Sequence, residues 1–279
     1  MNYTTYLPGP ALAPYIDSYW TLEGPSDCDA PWDRILPDGS VEFVFNLGDH
    51  FQRTHPDNTI EIQPAALLVG QMCHFAMIRP TGSVRLFGVR FHPHGAYPFL
   101  HIPLHEFTDR IVSLNTVLNT LGTELSEMIA GALSIQESIC SVEKVLCKRL
   151  KQKCATDPAV MRATRMMVRS KGALRMSEYA RGSGLSERQL ERKFQTQVGL
   201  SPKRFSRILR MQELFKVLER DRRLSWSYIA SECGYFDQAH FIHEFRDFAG
   251  QTPELFFDEK RILSRFFTRA RRPSDSYNT

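Results

Sequence analysis

Residues 179–202 read YARGSGLSERQLERKFQTQVGLSP and residues 229–253 read IASECGYFDQAHFIHEFRDFAGQTP. Laid over each other at an offset of about fifty residues, they are two copies of one pattern. Tyr179-Ala180-x3-Gly184 matches Ile229-Ala230-x3-Gly234. Leu190-x3-Phe194-x4-Gly199-x-Ser201-Pro202 matches Phe241-x3-Phe245-x4-Gly250-x-Thr252-Pro253, with one extra residue in the second turn.

Each element of the pattern has a physical meaning. The small Ala180 or Ala230 lets a short helix approach the one that crosses it, and Gly184 or Gly234 supplies a tight turn where a positive φ costs little. Ser186 and Asp237 sit where a helix N-cap belongs, and Ser186 with Gln189 fits a capping box. Leu190 and Phe194, or Phe241 and Phe245, are four apart and anchor one buried face. Gly199 or Gly250 ends that helix, and Ser201-Pro202 or Thr252-Pro253 caps and opens the next. Asp157-Pro158 opens the first helix of the set in the same way. This is helix-turn-helix logic, used twice.

The face opposite the anchors decides function. In the first copy it carries Arg188, Glu191, Arg192 and Gln195 at helical spacing, all residue types that hydrogen-bond to base edges in a major groove. In the second copy the stripe is Ala239, Ile242, His243 and Arg246, with Gln238 and His240 beside it, a less polar face suited in part to thymine methyls. Between the copies, Pro202 to Arg220 reads as one long helix able to fix the separation of the two readers. Held about one DNA turn apart, roughly 34 Å, they would enter successive major grooves and cover ~15 to 20 base pairs. Lys203, Arg204, Arg207, Arg222, Arg223 and Arg246 are candidates for phosphate contacts, which position without specifying.

Charge supports a polyanionic partner for this part alone. Residues 1–150 carry a formal −7 and residues 151–279 a formal +11, although the whole chain sums to +4. The stretch from Lys260 to Arg272 reads as a basic terminal helix that frays. The six cysteines form no CxxC pair and no apolar leader opens the sequence, so a reduced, cytoplasmic protein is expected. No apolar run reaches the ~20 residues of a membrane span.

Up to about Leu100, short apolar runs at Tyr15–Leu22, Val41–Leu47, Ala65–Val69, Phe75–Arg79 and Val84–Phe91 read as strands. Turns at 37–40, 46–49 and 80–83 suggest hairpins of a barrel or sandwich. Val112–Gly131 and Ile135–Lys153 follow helical spacing. Cys140, Cys147 and Cys154 recur every seven residues on the second of these and are expected as small buried groups at a packing or dimer seam, with redox sensing the alternative.

The double motif resembles that of the AraC/XylS family of bacterial regulators over about residues 157–258. The resemblance extends to Ser186-x3-Leu190-x-Arg192-x-Phe194 and Gly234-Tyr235-Phe236-Asp237-x3-Phe241-x3-Phe245. It implies base contacts by Arg188, Glu191 and Arg192 in the first unit and by Gln238, Ala239, His240 and His243 in the second, His243 standing where Arg or Lys is common. Ile35-Leu36-Pro37-Asp38-Gly39, Phe45-Asn46-Leu47-Gly48, Val69-Gly70-Gln71 and Phe87-Gly88-Val89-Arg90-Phe91 are similar to the sensory region of a less-studied branch of that family. Such relatives use a β-barrel-like domain to bind a small effector or to dimerise.

The expected fold is multidomain, α and β. A β-rich, barrel-like (cupin-like) sensory or dimerisation domain spans 1–110 and a helical connector 111–156. An all-α domain with two helix-turn-helix units spans 157–258, and a basic tail 259–279. The expected function is sequence-specific regulation of transcription through helices at about 186–197 and 237–248. Its partners are double-stranded DNA, RNA polymerase if the protein activates, and, left open, a small effector and a second copy of the chain. The alternative is a cupin-like metal sensor or metalloenzyme with an appended DNA-binding module. His92-Pro93-His94, with His74, His101 and His105 nearby, invites that reading, but Gly95-Ala96-Tyr97-Pro98 follows where an acid would be needed. No metal, cofactor or catalysis is therefore expected, no nucleophile or phosphate-loop frame being present. No effector site is assigned. Asp38, Glu42, Arg79 and Arg90 are candidates to line a pocket, with turn chemistry and an outer-face position the preferred reading. Trp20, Trp32, Phe43, Phe45 and Phe91 are read as core.

Overall fold

The computed structural model describes residues 1–25, 30–55, 57–151, 155–220 and 224–258. Its first half is built from ten strands: β1 (Asn2–Tyr6), β2 (Ile16–Gly24), β3 (Asp33–Ile35), β4 (Glu42–Asn46), β5 (Phe51–Thr54), β6 (Ile60–Ile62), β7 (Ala66–Val69), β8 (Ala76–Pro80), β9 (Val84–Phe91) and β10 (Ile111–Ser113). They form two antiparallel sheets, ordered β1-β2-β9-β4-β7-β10 and β3-β8-β5-β6.

Strict alternation gives the larger sheet two buried faces. Tyr19, Phe43, Phe45, Leu68, Phe87, Val89 and Phe91 point into one core, while Trp20, Leu22, Val44, Leu67 and Leu86 point into another, between the sheets. Gly88 is required there, because a Cβ would lie 2.0 Å from the Trp20 ring.

The expected strands occur, but the three turns do not make hairpins. Those at 37–40, 46–49 and 80–83 each carry the chain from one sheet to the other. The second and third turns are tied together, Asp49 accepting from the Ser83 amide at 2.7 Å and the Thr81 hydroxyl donating to the His50 carbonyl at 2.6 Å. These bonds favour a corner between sheets over a local return.

Eleven α-helices are described: α1 (Tyr97–Leu100), α2 (Leu114–Leu118), α3 (Thr120–Ala130), α4 (Ile135–Leu150), α5 (Pro158–Arg169), α6 (Met176–Ala180), α7 (Glu187–Val198), α8 (Pro202–Arg220), α9 (Trp226–Glu232), α10 (Gln238–Ala249) and α11 (Pro253–Asp258). The single helix expected over Val112–Gly131 is not formed. Ile111 to Ser113 pair with β7 as an edge strand, and Asn119 at φ 51° separates α2 from α3; β-branched residues beside a free sheet edge take the strand. Leu114, Leu125, Ile129, Val142 and Leu146 of α2–α4 fill the same core as the outer face of the larger sheet. The cysteine stripe is corrected as well. Cys140 is exposed, Cys147 is half-buried and Cys154 lies outside the described residues, while Val142, Val145 and Leu146 form the buried face of α4. At ~100° per residue Cys140 and Cys147 stay within ~20° of each other, but that stripe lies on the side of α4 away from Val142 and Leu146.

The helical half has its own core, in which Leu190, Phe194, Phe205, Ile208, Leu214, Ile229, Phe241 and Phe245 are buried. The sheet-rich half reaches into it. Leu36 belongs to this core, the Gln212 side chain of α8 donates to the Pro37 carbonyl at 2.6 Å, and the Phe75 amide donates to the Phe248 carbonyl at 3.1 Å. Among the described residues no helix is long and apolar enough to cross a membrane.

Candidate nucleic-acid interface

The first unit is α6, a turn through Gly182 and Gly184 at φ 70° and 73°, and α7. Ser186 accepts from the Gln189 amide at 3.3 Å while Gln189 accepts from the Ser186 amide at 2.9 Å, closing the capping box. With Leu190, Phe194 and Val198 buried, α7 exposes Arg188, Glu191, Arg192 and Gln195 together on its outer face. Lys193, on the flank, pairs with Asp157 at the start of α5, which holds the Asp157 carboxyl below the usual range.

The second unit is α9, a turn at Gly234 with φ 74°, and α10, whose N-cap Asp237 accepts from the His240 amide at 2.7 Å. Phe241, Phe245 and Phe248 are buried, and Gln238, Ala239, His240, His243 and Arg246 are exposed. Gln238 is oriented by the Ser227 hydroxyl at 2.6 Å. His240 is tied inward, its ring against Tyr235 and its Nε2 3.3 Å from Glu244. Ile242, expected in the stripe, instead packs half-buried on the core.

Sequence reasoning passed over Phe236, which is 92% exposed at the residue before the N-cap of α10. An apolar residue there ordinarily staples onto the fourth helical residue, Phe241. Tyr235 occupies that contact, with ring centroids 5.3 Å apart, and leaves Phe236 outside beside Gln238 and Ala239. Two adjacent aromatics competing for one staple position were the available signal.

Both recognition helices face one groove that runs over α8. Glu187 and Glu191 of α7, Lys203, Arg207 and Arg210 of α8, and His240, His243 and Asp247 of α10 all line it. Of the phosphate candidates, Lys203 and Arg246 are exposed. Arg207 is held by Glu244 at 3.0 Å and Asp247 at 2.8 Å. Arg204 turns the other way, lying over the Phe248 ring and donating to the Cys73 carbonyl of the sheet-rich half. Arg222, Arg223 and the basic tail at 259–279 lie outside the described residues.

Between the two sheets lies a cavity of about 110 Å³, walled by Trp20, Val44, Phe51, Leu67, Ile78 and Leu86 among others. Asp38, Glu42 and Arg90 line it, and Arg79 does not, its guanidinium being bonded to Gln52 and stacked over Trp32. Glu42 and Arg90 are direct cross-strand partners and form an ion pair, with Asp38 3.4 Å from the same guanidinium. Trp20 is thus a cavity wall as well as a core residue. The histidines of the His92-Pro93-His94 run are spent on structure. Their Nε2 atoms each lie 3.2 Å from a backbone carbonyl, of Ala13 and Pro14 respectively, and His94 Nδ1 meets the Thr164 hydroxyl of α5 at 2.8 Å. Burial, with the neighbouring His92 and Arg165, pushes His94 down to about 3 and keeps it neutral.

Residues 4–113 match a family model described as a domain of unknown function (DUF6597), and residues 179–259 match one described as a helix-turn-helix domain. Among solved structures the chain is similar to ToxT from Vibrio cholerae, at 11% identity and a TM-score of 0.48, with 86% of this chain and 98% of that chain covered. It is similar too to ToxT bound to (E)-4-(8-methylnaphthalen-1-yl)but-3-enoic acid, at 10% identity, a TM-score of 0.46 and coverage of 86% and 98%. Unsaturated fatty acid bound ToxT matches at 10% identity, a TM-score of 0.43 and coverage of 85% and 94%. No curated protein matches the chain in sequence.

Proposed function

We propose that this chain, which carries an AraC-type helix-turn-helix domain behind a sheet-rich N-terminal domain, is a sequence-specific transcription regulator that reads two successive major grooves. The observation that carries the reading is the shared groove over α8. It puts two N-capped helices on one side of a rigid spacer, each presenting exposed side chains of base-reading type. Arg188, Glu191, Arg192 and Gln195 read one half-site. Gln238, Ala239, His240 and His243 read the other, with Phe236 adding an apolar contact at the entrance of α10. Lys203 and Arg246 serve the phosphates. Arg207 instead braces α10, and Arg204 would be released for phosphate only if the segment at Cys73 left it.

The N-terminal domain holds a small effector, its site the cavity between the sheets. The protein works in the cytoplasm by binding, without catalysis, alone or as a homodimer, and meets RNA polymerase where it activates.

Selection of binding sites from random duplexes by the full-length protein at ~150 mM salt, where counterion-driven non-specific binding is suppressed, tests this directly. Two informative patches about ten base pairs apart are expected. Enrichment of no sequence by a preparation that still retains random DNA at low salt would overturn the reading.

A further inference from the structure

The effector proposed above has no chemistry assigned to it, and the cavity's lining supplies one. Its walls are apolar, and its size is close to the ~150 Å³ of a cavity that admits benzene. Among the described residues its only charged lining groups are Asp38, Glu42 and Arg90. Arg90 is 3% exposed and is claimed by both carboxylates, which leaves one negative charge in surplus when all three are ionised. An unbalanced charge beside so deeply buried a pair as Glu42 and Arg90 is costly, and a ligand that brings the missing positive charge lowers that cost. A carboxylate of the same shape would bring a second surplus anion, because the one guanidinium already faces two carboxylates.

We propose that the cavity takes a small apolar amine, its body against Trp20, Leu67 and Leu86 and its ammonium against Asp38 and Glu42, and that it rejects acids of the same shape. Burial pushes the Glu42 carboxyl up even though Arg90 opposes this, as expected of a buried carboxylate that one shared guanidinium does not fully compensate. The remaining polar lining groups, Ser40, Asn46 and Gln63, are neutral and do not alter the balance.

The route from this site to the DNA-reading helices is short. Ile35, Leu36 and Asp38 line the cavity, and the same segment sends Leu36 into the helical core, offers the Pro37 carbonyl to Gln212 of α8, and reaches the Ala249 carbonyl at the end of α10 through Arg34. Met72 lines the cavity one residue before Cys73, whose carbonyl holds Arg204. Any ligand that shifts Asp38 or Met72 therefore acts on two segments that seat α8 and α10.

The test uses the full-length protein with benzylamine, benzyl alcohol and benzoate as probes at about 10 mM, the range expected for ligands of so few atoms, read by thermal shift and by ligand-observed NMR. Benzylamine should bind saturably, benzyl alcohol at least tenfold more weakly, and benzoate not at all. Asp38→Asn, at a partly exposed position that should leave folding intact, should weaken benzylamine at least fivefold, and Glu42→Gln should do so if it folds. Benzoate binding as well as benzylamine, binding of none of the three, or an Asp38→Asn variant that holds benzylamine unchanged would overturn the assignment. Operator affinity with and without saturating benzylamine separates this inference from the reading it rests on. Binding without a change in DNA affinity supports the ligand class and overturns the effector role.

Discussion

The two helix-turn-helix units solve one problem with opposite charges. Position 193 in α7 and position 244 in α10 are equivalent in the repeat, and each ties its recognition helix to the scaffold helix that precedes the unit. In the first copy Lys193 reaches Asp157 at the start of α5, in solvent. In the second, Glu244, only 5% exposed, takes Arg207 and Arg210 of α8, each at 3.0 Å. The capped turn, the glycines and the aromatic or aliphatic anchors are common to both. The tether and the outward face are not: α7 shows four polar readers, whereas α10 shows a glutamine, two histidines, an alanine and, at its entrance, a phenylalanine. The fold of the unit and its specificity are thus carried by different residues and can be broken separately.

The largest expected effect falls on the second tether. Glu244→Ala leaves Arg210 without its carboxylate and Arg207 with Asp247 alone, and losing one partner of a largely buried pair costs about 3 kcal/mol. Urea unfolding should show that loss, and site selection should show the half-site of the second unit fading while that of the first persists. Equal loss of both patches would mean that the two units do not read independently. Next in size is Arg192→Ala on the face of α7, expected to cost ~1 to 3 kcal/mol on the selected operator and to relax one base position without changing stability. The same loss on random duplexes would remove Arg192 from the readers.

These differences were unequally legible in the sequence. The turns and caps are local, decided within a few residues by glycines at positive φ and by Ser186 and Asp237, so both units could be placed from spacing alone. Strand partners are not local. Nothing within 37–40 or 80–83 states that the next strand joins the other sheet, and a hairpin was the natural expectation. Glu42 and Arg90 lie 48 residues apart and acquire meaning only when the register makes them opposite neighbours facing a cavity. Arg204 reads as one more basic residue at a helix start until the fold sets Cys73 beside it. The heptad of cysteines gave a shared face but not the buried one, since Val142 and Leu146 claim the buried side of α4.

A smaller effect sharpens the contrast between the outward faces. Phe236 has no core contact to lose, so Phe236→Ala should leave unfolding unchanged and cost about 0.8 kcal/mol of operator affinity, the worth of one buried methyl. Replacing thymine by deoxyuridine in the second half-site should cost the wild-type protein a similar amount and the variant nothing further. Additive losses would place Phe236 away from the methyl group.

The smallest effect is the counterpart of the first. Lys193→Ala breaks a pair that is substantially exposed, with side-chain accessibilities of 38% and 21%, and should cost only about 0.5 kcal/mol at neutral pH. Its signature lies in the pH dependence. The hydrogen bond from Lys193 is the leading reason that the Asp157 carboxyl sits below its usual range, ahead of the amide of Ala159 that it also caps. A carboxylate depressed in the folded state contributes stability above its unfolded pKa and loses it as pH falls through the folded value. The Lys193→Ala variant should therefore differ from wild type near neutrality and converge with it in acid, as Asp157 is protonated in both. A difference that persisted undiminished at low pH would mean that Lys193 acts through its packed methylene stem rather than its charge, and the two tethers would then share a position without sharing a mechanism.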